Sequence, residues 1–127
     1  MPVPATILSR KDEITSQFLQ LAHQHITDLL EGRATKRYHA ADFAKLLFIH
    51  PRHLTNTIQL TTGQSPCDIM ETRVTEAIQK LLRETQLSVA DIGSKFGYDD
   101  PSNFIKFFKG MTGITPLQYR KQQAAAS

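Results

Sequence analysis

The sequence predicts an all-α protein of about seven helices, arranged as two helix-turn-helix motifs joined by a long linker helix. Three observations predict this fold. Apolar residues recur at helical spacing in the long segments, no segment reads as a strand, and one residue pattern occurs twice. The chain has 127 residues, of which 40% are hydrophobic and 21% charged. This composition is typical of a globular protein, and the length suffices for two small helical units.

The first predicted helix covers about residues 11–31, within an N-terminal segment, 1–35, that we expect to pack on the first helix-turn-helix. Gly32 ends it. Its inward apolar residues are Ile14, Phe18, Leu21, Ile26 and Leu29. The opening residues MPVPATILSRKDE lack the pattern of a signal peptide, and no apolar run approaches the roughly 20 residues of a membrane span. We therefore expect a soluble intracellular protein.

The repeat appears when residues 41–51, ADFAKLLFIHP, are aligned with residues 90–101, ADIGSKFGYDDP, which contain one extra residue. Beyond this insertion the offset is constant at 50, so that TGQSP in the first copy matches TGITP in the second. Each of these strings ends a helix with glycine and starts another just after proline. Two short helices joined by a tight turn are typical of a helix-turn-helix.

The repeat fixes the expected boundaries. In the first helix-turn-helix, residues 36–65, one helix runs from about Ala40 to Leu47, Phe48 to His50 form the turn, and a second helix runs from Pro51 to near Thr62. The linker helix, within 66–85, carries the apolar stripe Met70, Val74, Ala77, Ile78 and Leu81. In residues 86–121, Ser88 caps one helix that Gly97 ends, Asp99 or Asp100 caps the next, and a final helix starts near Pro116. We expect residues 122–127 to fray.

Few residues suggest chemistry. Cys67 is the only cysteine, so no intrachain disulfide can form, and we expect it to be buried as a small apolar residue. His50 and His53 are three positions apart with no third ligand nearby, so we expect no metal site and no cofactor. The sequence lacks paired carboxylates, a glycine-rich phosphate loop and a nucleophile–base pair at a usable spacing. We therefore do not expect an enzyme.

Charge is segregated along the chain, although the formal net charge is only +3. Residues 101–127 contain no acid but carry Lys106, Lys109, Arg120 and Lys121. Residues 32–41 contain no acid and carry Arg33, Lys36 and Arg37. Such a distribution is typical of a surface that binds a polyanion.

The second helix of each motif is predicted to present a polar outer face. The residues expected to face inward are Leu54, Thr57, Ile58 and Thr61 in the first motif, and Phe104, Phe107, Phe108 and Met111 in the second. The residues expected to face outward are Arg52, Asn56 and Gln59, with Thr55 beside them, and Ser102, Lys106 and Lys109, with Ile105 beside them. These polar side chains suit base edges and phosphates, and neither outer face has an acid.

The linker helix gives the repeat a geometric meaning. A helix of about 18 residues is about 27 Å long, which is close to the roughly 34 Å between successive major grooves on one side of DNA. One chain is therefore predicted to read two successive major grooves with two recognition helices arranged head to tail.

The sequence resembles the DNA-binding domain of the AraC/XylS family of bacterial transcription regulators. Residues 89–120, VADIGSKFGYDDPSNFIKFFKGMTGITPLQYR, are similar to the second helix-turn-helix signature of that family. FAKLLFIHPRHLTNTIQLTTGQSP resembles the first signature and RVTEAIQKLL the linker, so that the resemblance covers about residues 38–121. The departures are Gly93 and Tyr98, where alanine and phenylalanine are usual, His50 in place of a serine cap, and the apolar Ile105.

The resemblance implies two homeodomain-like three-helix units in a bacterial cytoplasmic regulator that acts at the nucleoid. Such regulators bind double-stranded promoter DNA and usually activate transcription by contacting RNA polymerase. The positions that match the family's base-reading residues are Arg52, Thr55, Asn56, Gln59, Ser102, Asn103 and Lys106. The predicted phosphate contacts are Lys109 of the FK motif and, in the acid-free segment, Lys36 and Arg37.

Two alternatives accompany this interpretation. Longer family members carry an N-terminal ligand-sensing and dimerising domain, which these 127 residues do not contain; the chain is either naturally short or a fragment. The second interpretation is a helical protein-interaction module that sequesters another regulator. Such a module would need an apolar outer patch, and Ile105 is the one apolar residue on the predicted recognition faces that could form it. The residues leave open the target sequence, the effector, the oligomeric state and the sign of regulation.

Overall fold

The computed structural model describes residues 9–126, which form seven helices and no strand. The predicted all-α fold class is confirmed. The helices are α1 (Arg10–Leu30), α2 (Ala40–Leu46), α3 (Pro51–Thr62), α4 (Pro66–Glu84), α5 (Val89–Lys95), α6 (Pro101–Thr112) and α7 (Pro116–Ala126). None of them is long and apolar enough to cross a membrane.

The chain divides into two compact units, each made of two separate stretches of sequence. The first contains the described residues up to His25 together with Tyr38–Met70, and the second contains Ile26–Arg37 with the described residues from Glu71 onward. The sequence analysis placed residues 1–35 in a separate segment that packs on the first helix-turn-helix, and this assignment stays a prediction. The end of α1 and the loop after it belong to the second unit, where Lys95 Nζ donates to the carbonyl of Leu30 at 3.2 Å.

The core of the first compact unit is aromatic and aliphatic. The rings of Phe18 and Phe43 meet edge to face at 5.2 Å between centroids. His25 is buried, its ring stacks on Tyr38 at 4.0 Å, and its Nε2 accepts the Tyr38 backbone N–H at 3.0 Å. Leu54 and Ile58 bury the inner side of α3. The side of α3 opposite these residues is therefore left to solvent.

Both helix-turn-helix turns use the same left-handed backbone position. Gly97 has φ +86° in the second turn, and Phe48 has φ +58° at the corresponding place in the first. The residue after each one closes the preceding helix, because the N–H of Ile49 bonds the Ala44 carbonyl and that of Tyr98 bonds the Gly93 carbonyl. A bulky side chain in this conformation is strained by roughly 1–2 kcal/mol. Phe48 is nevertheless 94% exposed, so burial does not offset this strain.

Capping residues define where the helices begin. His50 Nδ1 accepts the Arg52 N–H at 3.1 Å and Asp100 Oδ1 accepts the Ser102 N–H at 2.9 Å, so each recognition helix has a side-chain cap before its first proline. Histidine thus takes the role of the usual serine in the first motif. Glycines with positive φ end the same two helices. These local signals explain why the sequence predicts the bounds of α3 and α6 closely.

In the second compact unit, the core is built around α6. Phe104 and Phe108 are fully buried. The glycine at position 93 of α5 is a packing requirement, since a Cβ there would lie 2.8 Å from Cγ of Phe104. Alanine, which is usual at this position in the family that the sequence resembles, therefore does not fit against a phenylalanine ring in this place.

A cation–π contact ties the loop after α1 to α6. The guanidinium carbon of Arg37 lies 4.8 Å from the ring centroid of Phe107 and 5.7 Å from that of Tyr98, and Nη1 donates to the Tyr98 hydroxyl at 2.8 Å. Burial raises the pKa of Tyr98 above its ordinary value, while Arg37 partly opposes this shift. Arg37 thus packs against the edge of a recognition helix.

Several predicted inward positions are wrong. Cys67, Met111 and Thr61 are exposed; Cys67 lies in the first turn of α4, and the other two lie in the last turns of their helices. The hydroxyl of Thr61 bonds that of Thr15 on α1 at 2.7 Å instead.

On α4 the buried leucine is Leu82, four residues after Ile78, whereas Leu81 is half-buried. The described part of the predicted frayed tail is helical as far as Ala126, since QQAAA consists of good helix formers.

We expect Gly93→Ala to destabilise the protein by about 1–3 kcal/mol, because the added methyl overlaps the Phe104 ring. The matched control is Gly110→Ala in α6, where a Cβ meets nothing within 4 Å; it should stabilise by about 0.5–1 kcal/mol through helix propensity. Urea unfolding of both variants tests this. Adding Phe104→Leu to Gly93→Ala should recover part of the loss, and a Gly93→Ala protein as stable as the parent would contradict the packing argument.

We expect Arg37→Ala to lower the free energy of unfolding by about 1–3 kcal/mol, because it removes a part-buried cation–π contact and one hydrogen bond. Lys36→Ala is the control, since Lys36 is its exposed neighbour. Urea melts without DNA compare the two. Equal stability of both variants would mean that Arg37 does not support the fold.

Candidate nucleic-acid interface

Helix α3 presents a polar row to solvent in the first compact unit. Arg52, Asn56 and Gln59 are exposed and Thr55 is half-buried, as predicted from their spacing. Gln59 is already engaged at the helix end, because its Nε2 donates to the Gly63 carbonyl at 2.8 Å. Arg52 and Asn56 lie one turn apart on the same side of α3. Their exposed polar groups are therefore better placed than that of Gln59 to bind a partner.

Helix α6 presents the corresponding row in the second compact unit. Ser102, Asn103, Lys106 and Lys109 are all exposed. The fully buried Phe104 and Phe108 lie on the other side and fix the rotation of the helix about its axis. Aromatic packing and lysine exposure are thus two consequences of one amphipathic pattern.

Neither α3 nor α6 contains an acidic residue. The sequences of α3, PRHLTNTIQLTT, and α6, PSNFIKFFKGMT, contain cationic residues and no acid. The carboxylate of Asp100, the residue before α6, accepts a backbone N–H of the first turn. A polyanion approaching either row therefore meets amide, hydroxyl and cationic groups that lie on the helix itself.

The basic loop after α1 contributes less free charge than its sequence indicates. Arg33 pairs with Asp28 at 2.9 Å and also with Glu31, and these hydrogen bonds raise its pKa further. Arg37 is held by Tyr98 and Phe107. Lys36 is exposed and remains the cation of this loop best suited to bind a phosphate.

The predicted residues thus fall into two groups, one in each compact unit. The four from α3 share the first unit. The loop cations Lys36 and Arg37 and the four residues from α6 share the second. Arg37 adjoins α6 through Phe107. The predicted contacts with bases and phosphates themselves stay predictions.

The sequence analysis missed two outward residues of α3, His53 and Leu60. His53 is exposed, and Leu60 is 66% exposed. At about 100° per residue they lie on the same arc as Asn56. The helical spacing was sufficient to find them, but the histidine was considered only as a metal ligand and the leucine was assigned to neither side of the helix. Among the described residues no group of three or more His, Cys, Asp or Glu side chains is placed to hold a metal ion.

A second surface of the first compact unit is uncharged. An open groove of about 550 Å³ lies between α1 and the end of α2. Its lining residues are Gln17, Gln20, Leu21, Gln24, Leu46, Leu47 and Phe48. It carries no charged side chain, in contrast to the outer faces of α3 and α6.

Comparison with known proteins agrees with this geometry. Residues 43–122 match the family model described as "Helix-turn-helix domain". AarP, an HTH-type transcriptional activator from Providencia stuartii, is 31% identical over 106 residues, which are 83% of this chain and 78% of AarP. The HTH-type transcriptional regulator Rv1931c from Mycobacterium tuberculosis is 31% identical over 90 residues, which are 71% of this chain and 35% of that protein.

Among solved structures, the C-terminal domain of AraT, a response regulator from Geobacillus stearothermophilus, superposes with a TM-score of 0.77 at 25% identity. The match covers 90% of this chain and 88% of that domain. The chain spans between 11% and 35% of the length of four curated relatives. On its helix-turn-helix match and its similarity to AarP, the chain belongs to the AraC-type helix-turn-helix family of transcription regulators.

Proposed function

We propose that this protein is a sequence-specific regulator of transcription, an activator, that reads two successive major grooves of promoter DNA with α3 and α6. The observation that carries the proposal is the exposed, acid-free row on each of these helices, opposite a buried apolar side. A solvated helix face usually carries both signs of charge. Two such rows at corresponding positions of a repeat fit a polyanionic partner that is itself periodic.

The residue types suggest individual roles. Arg52 and Lys106 match the O6 and N7 acceptors of guanine, and Asn56 matches the N6 and N7 groups of adenine. Thr55, Gln59, Ser102 and Asn103 extend the two rows with shorter or amide groups. Lys109 and Lys36, at the margins, bind phosphates and set the register of the protein on the duplex.

Helix α4 sets the spacing in this proposal. It runs without a break from Pro66 to Glu84, so that at 1.5 Å per residue it is about 28 Å long. A continuous helix of that length suits recognition helices separated by roughly one turn of DNA. Because the two motifs repeat head to tail along the chain, the proposed site is a direct repeat and not a palindrome.

Activation would follow from contact with RNA polymerase at the promoter, in the bacterial cytoplasm. AarP, which is similar over most of this chain, is described as a transcriptional activator. Much longer relatives leave room for further domains, and a ligand-sensing domain on the same or another chain would supply the regulatory signal.

A protein-binding module that sequesters another regulator is the second candidate. The exposed Phe48 favours it, because this ring keeps a strained backbone and is not buried in the core. Binding to a random DNA library separates the two functions. An interaction module without the proposed activity would select no sequence, and Phe48→Ser would abolish its partner binding without affecting its fold.

We expect Lys106→Ala and Lys109→Ala to affect DNA binding in different ways. Removal of a base contact at Lys106 should cost about 1–3 kcal/mol on the preferred site and relax the preference at one position. Removal of a phosphate contact at Lys109 should weaken binding to all DNA similarly and reduce the salt slope by about one unit. Anisotropy titrations at several salt concentrations, with a melt of each variant, measure both effects. Full affinity in both variants would exclude α6 as a reader.

We expect affinity to fall when the two half-sites are moved out of phase. Inserting about five base pairs between them rotates one major groove to the far side of the duplex. One helix must then release its half-site, or the DNA must bend at a cost of a few kcal/mol.

Footprints and affinities on the native site, on the half-turn insertion and on a full-turn insertion of about ten base pairs provide the comparison. Near-equal affinity for the native and half-turn sites would mean that only one helix reads DNA.

A further inference from the structure

Ile105 occupies an unusual place on α6. It follows the buried Phe104 by one residue, so its side chain turns by about 100° from the core. It is half-buried, and its neighbours one turn away on the same side, Ser102 and Lys109, are exposed. A β-branched apolar side chain thus borders the basic row on one flank and keeps part of its surface open to solvent.

The other flank of the row is partly covered. Phe107 borders it there, and the guanidinium of Arg37 and the ring of Tyr98 pack against the Phe107 ring. Phe107 is half-buried beneath these contacts, and Ile105 is a half-buried apolar group on the opposite flank of the polar row of α6. Because Lys106 follows it directly, any surface that the row approaches also approaches the Ile105 side chain.

The repeat supplies an independent parallel. At the offset of 50, Ile105 corresponds to Thr55 of α3, which is also half-buried beside an exposed row. Threonine and isoleucine share a β-branched shape with a methyl group on Cβ, and this branching restricts χ1. Both helices thus carry a β-branched side chain with a methyl group at the same flank.

We propose that Ile105 contacts the 5-methyl group of a thymine in the half-site that α6 reads, and so specifies a T·A pair there. This inference rests on the proposed DNA-binding function. The thymine methyl is the one apolar group that the four bases present in the major groove, and aliphatic side chains recognise it by contact. Cytosine offers no methyl at this position, so an unmethylated C·G pair leaves the Ile105 surface without an apolar partner.

The test removes only that methyl group. The preferred site is first selected from a random library with the 127-residue chain, and each thymine of the second half-site is then replaced singly by deoxyuridine. We expect one replacement to weaken binding of the parent protein by about three- to fivefold, the effect of one buried methyl. For Ile105→Ala, the thymine and deoxyuridine sites should bind equally. Replacing the same T·A pair by 5-methylcytosine·G should recover more affinity than cytosine·G in the parent protein alone.

Two controls separate this role from a structural one. Met111→Ala removes another exposed apolar side chain of the same helix and should retain the full deoxyuridine effect. Ile105→Val keeps the branched methyl and should retain most of it. Thermal melts of each variant establish that it is folded.

The outcomes are distinguishable. Failure of the parent protein to select any sequence would refute the proposed function. Sequence-specific binding in which no deoxyuridine replacement matters, or in which Ile105→Ala keeps the same sensitivity, would refute the role of Ile105 alone. A preferred second half-site without thymine would refute it as well.

Discussion

Burial of one side of α3 and of α6 determines what these helices present to a partner. Leu54 and Ile58 in one helix, and Phe104 and Phe108 in the other, are completely buried. With the inner side fixed, about 100° per residue leaves little freedom in which side chains face outward. Loss of that packing would rotate or unfold the helix, so the outer row depends on a core that it does not touch.

The second helix-turn-helix shows how closely this core is fitted. The ring of Phe104 fills the space that a Cβ at position 93 would need. Elsewhere on α6, the guanidinium of Arg37 lies over the Phe107 ring and donates a hydrogen bond to the Tyr98 hydroxyl. Gly93 is thus required for packing and not for a turn, and Arg37 packs against aromatic rings. Charge counted along the sequence therefore overstates the number of cations available to DNA, and Arg33, paired with two acids, adds to that difference.

The turn of the first helix-turn-helix contains a residue with a strained backbone. Phe48 takes the left-handed conformation that glycine takes in the second copy, and its ring is exposed. Strain without compensating burial is characteristic of functional surfaces. The adjoining groove between α1 and α2 is uncharged, so this surface differs in chemistry from the outer rows of α3 and α6.

The sequence by itself determined the helical fold class, where most of the helices start, the bounds of α3 and α6, and most of the outward positions of these two helices. Each of these depends on signals within a few residues, namely apolar spacing, glycine and proline, and side-chain caps at positions 50, 88 and 100. The family assignment likewise followed from a contiguous motif, and the family match confirms it.

Only the tertiary structure decided the role of Arg37, which donates a hydrogen bond to Tyr98 sixty-one residues away. The same holds for the hydrogen bond between Thr15 and Thr61. It also holds for the exposure of Cys67 and Met111. The physical reason is that helical periodicity specifies the direction of a side chain about its own axis. Whether another segment covers that side chain depends on contacts between distant parts of the chain, which spacing along one helix does not contain.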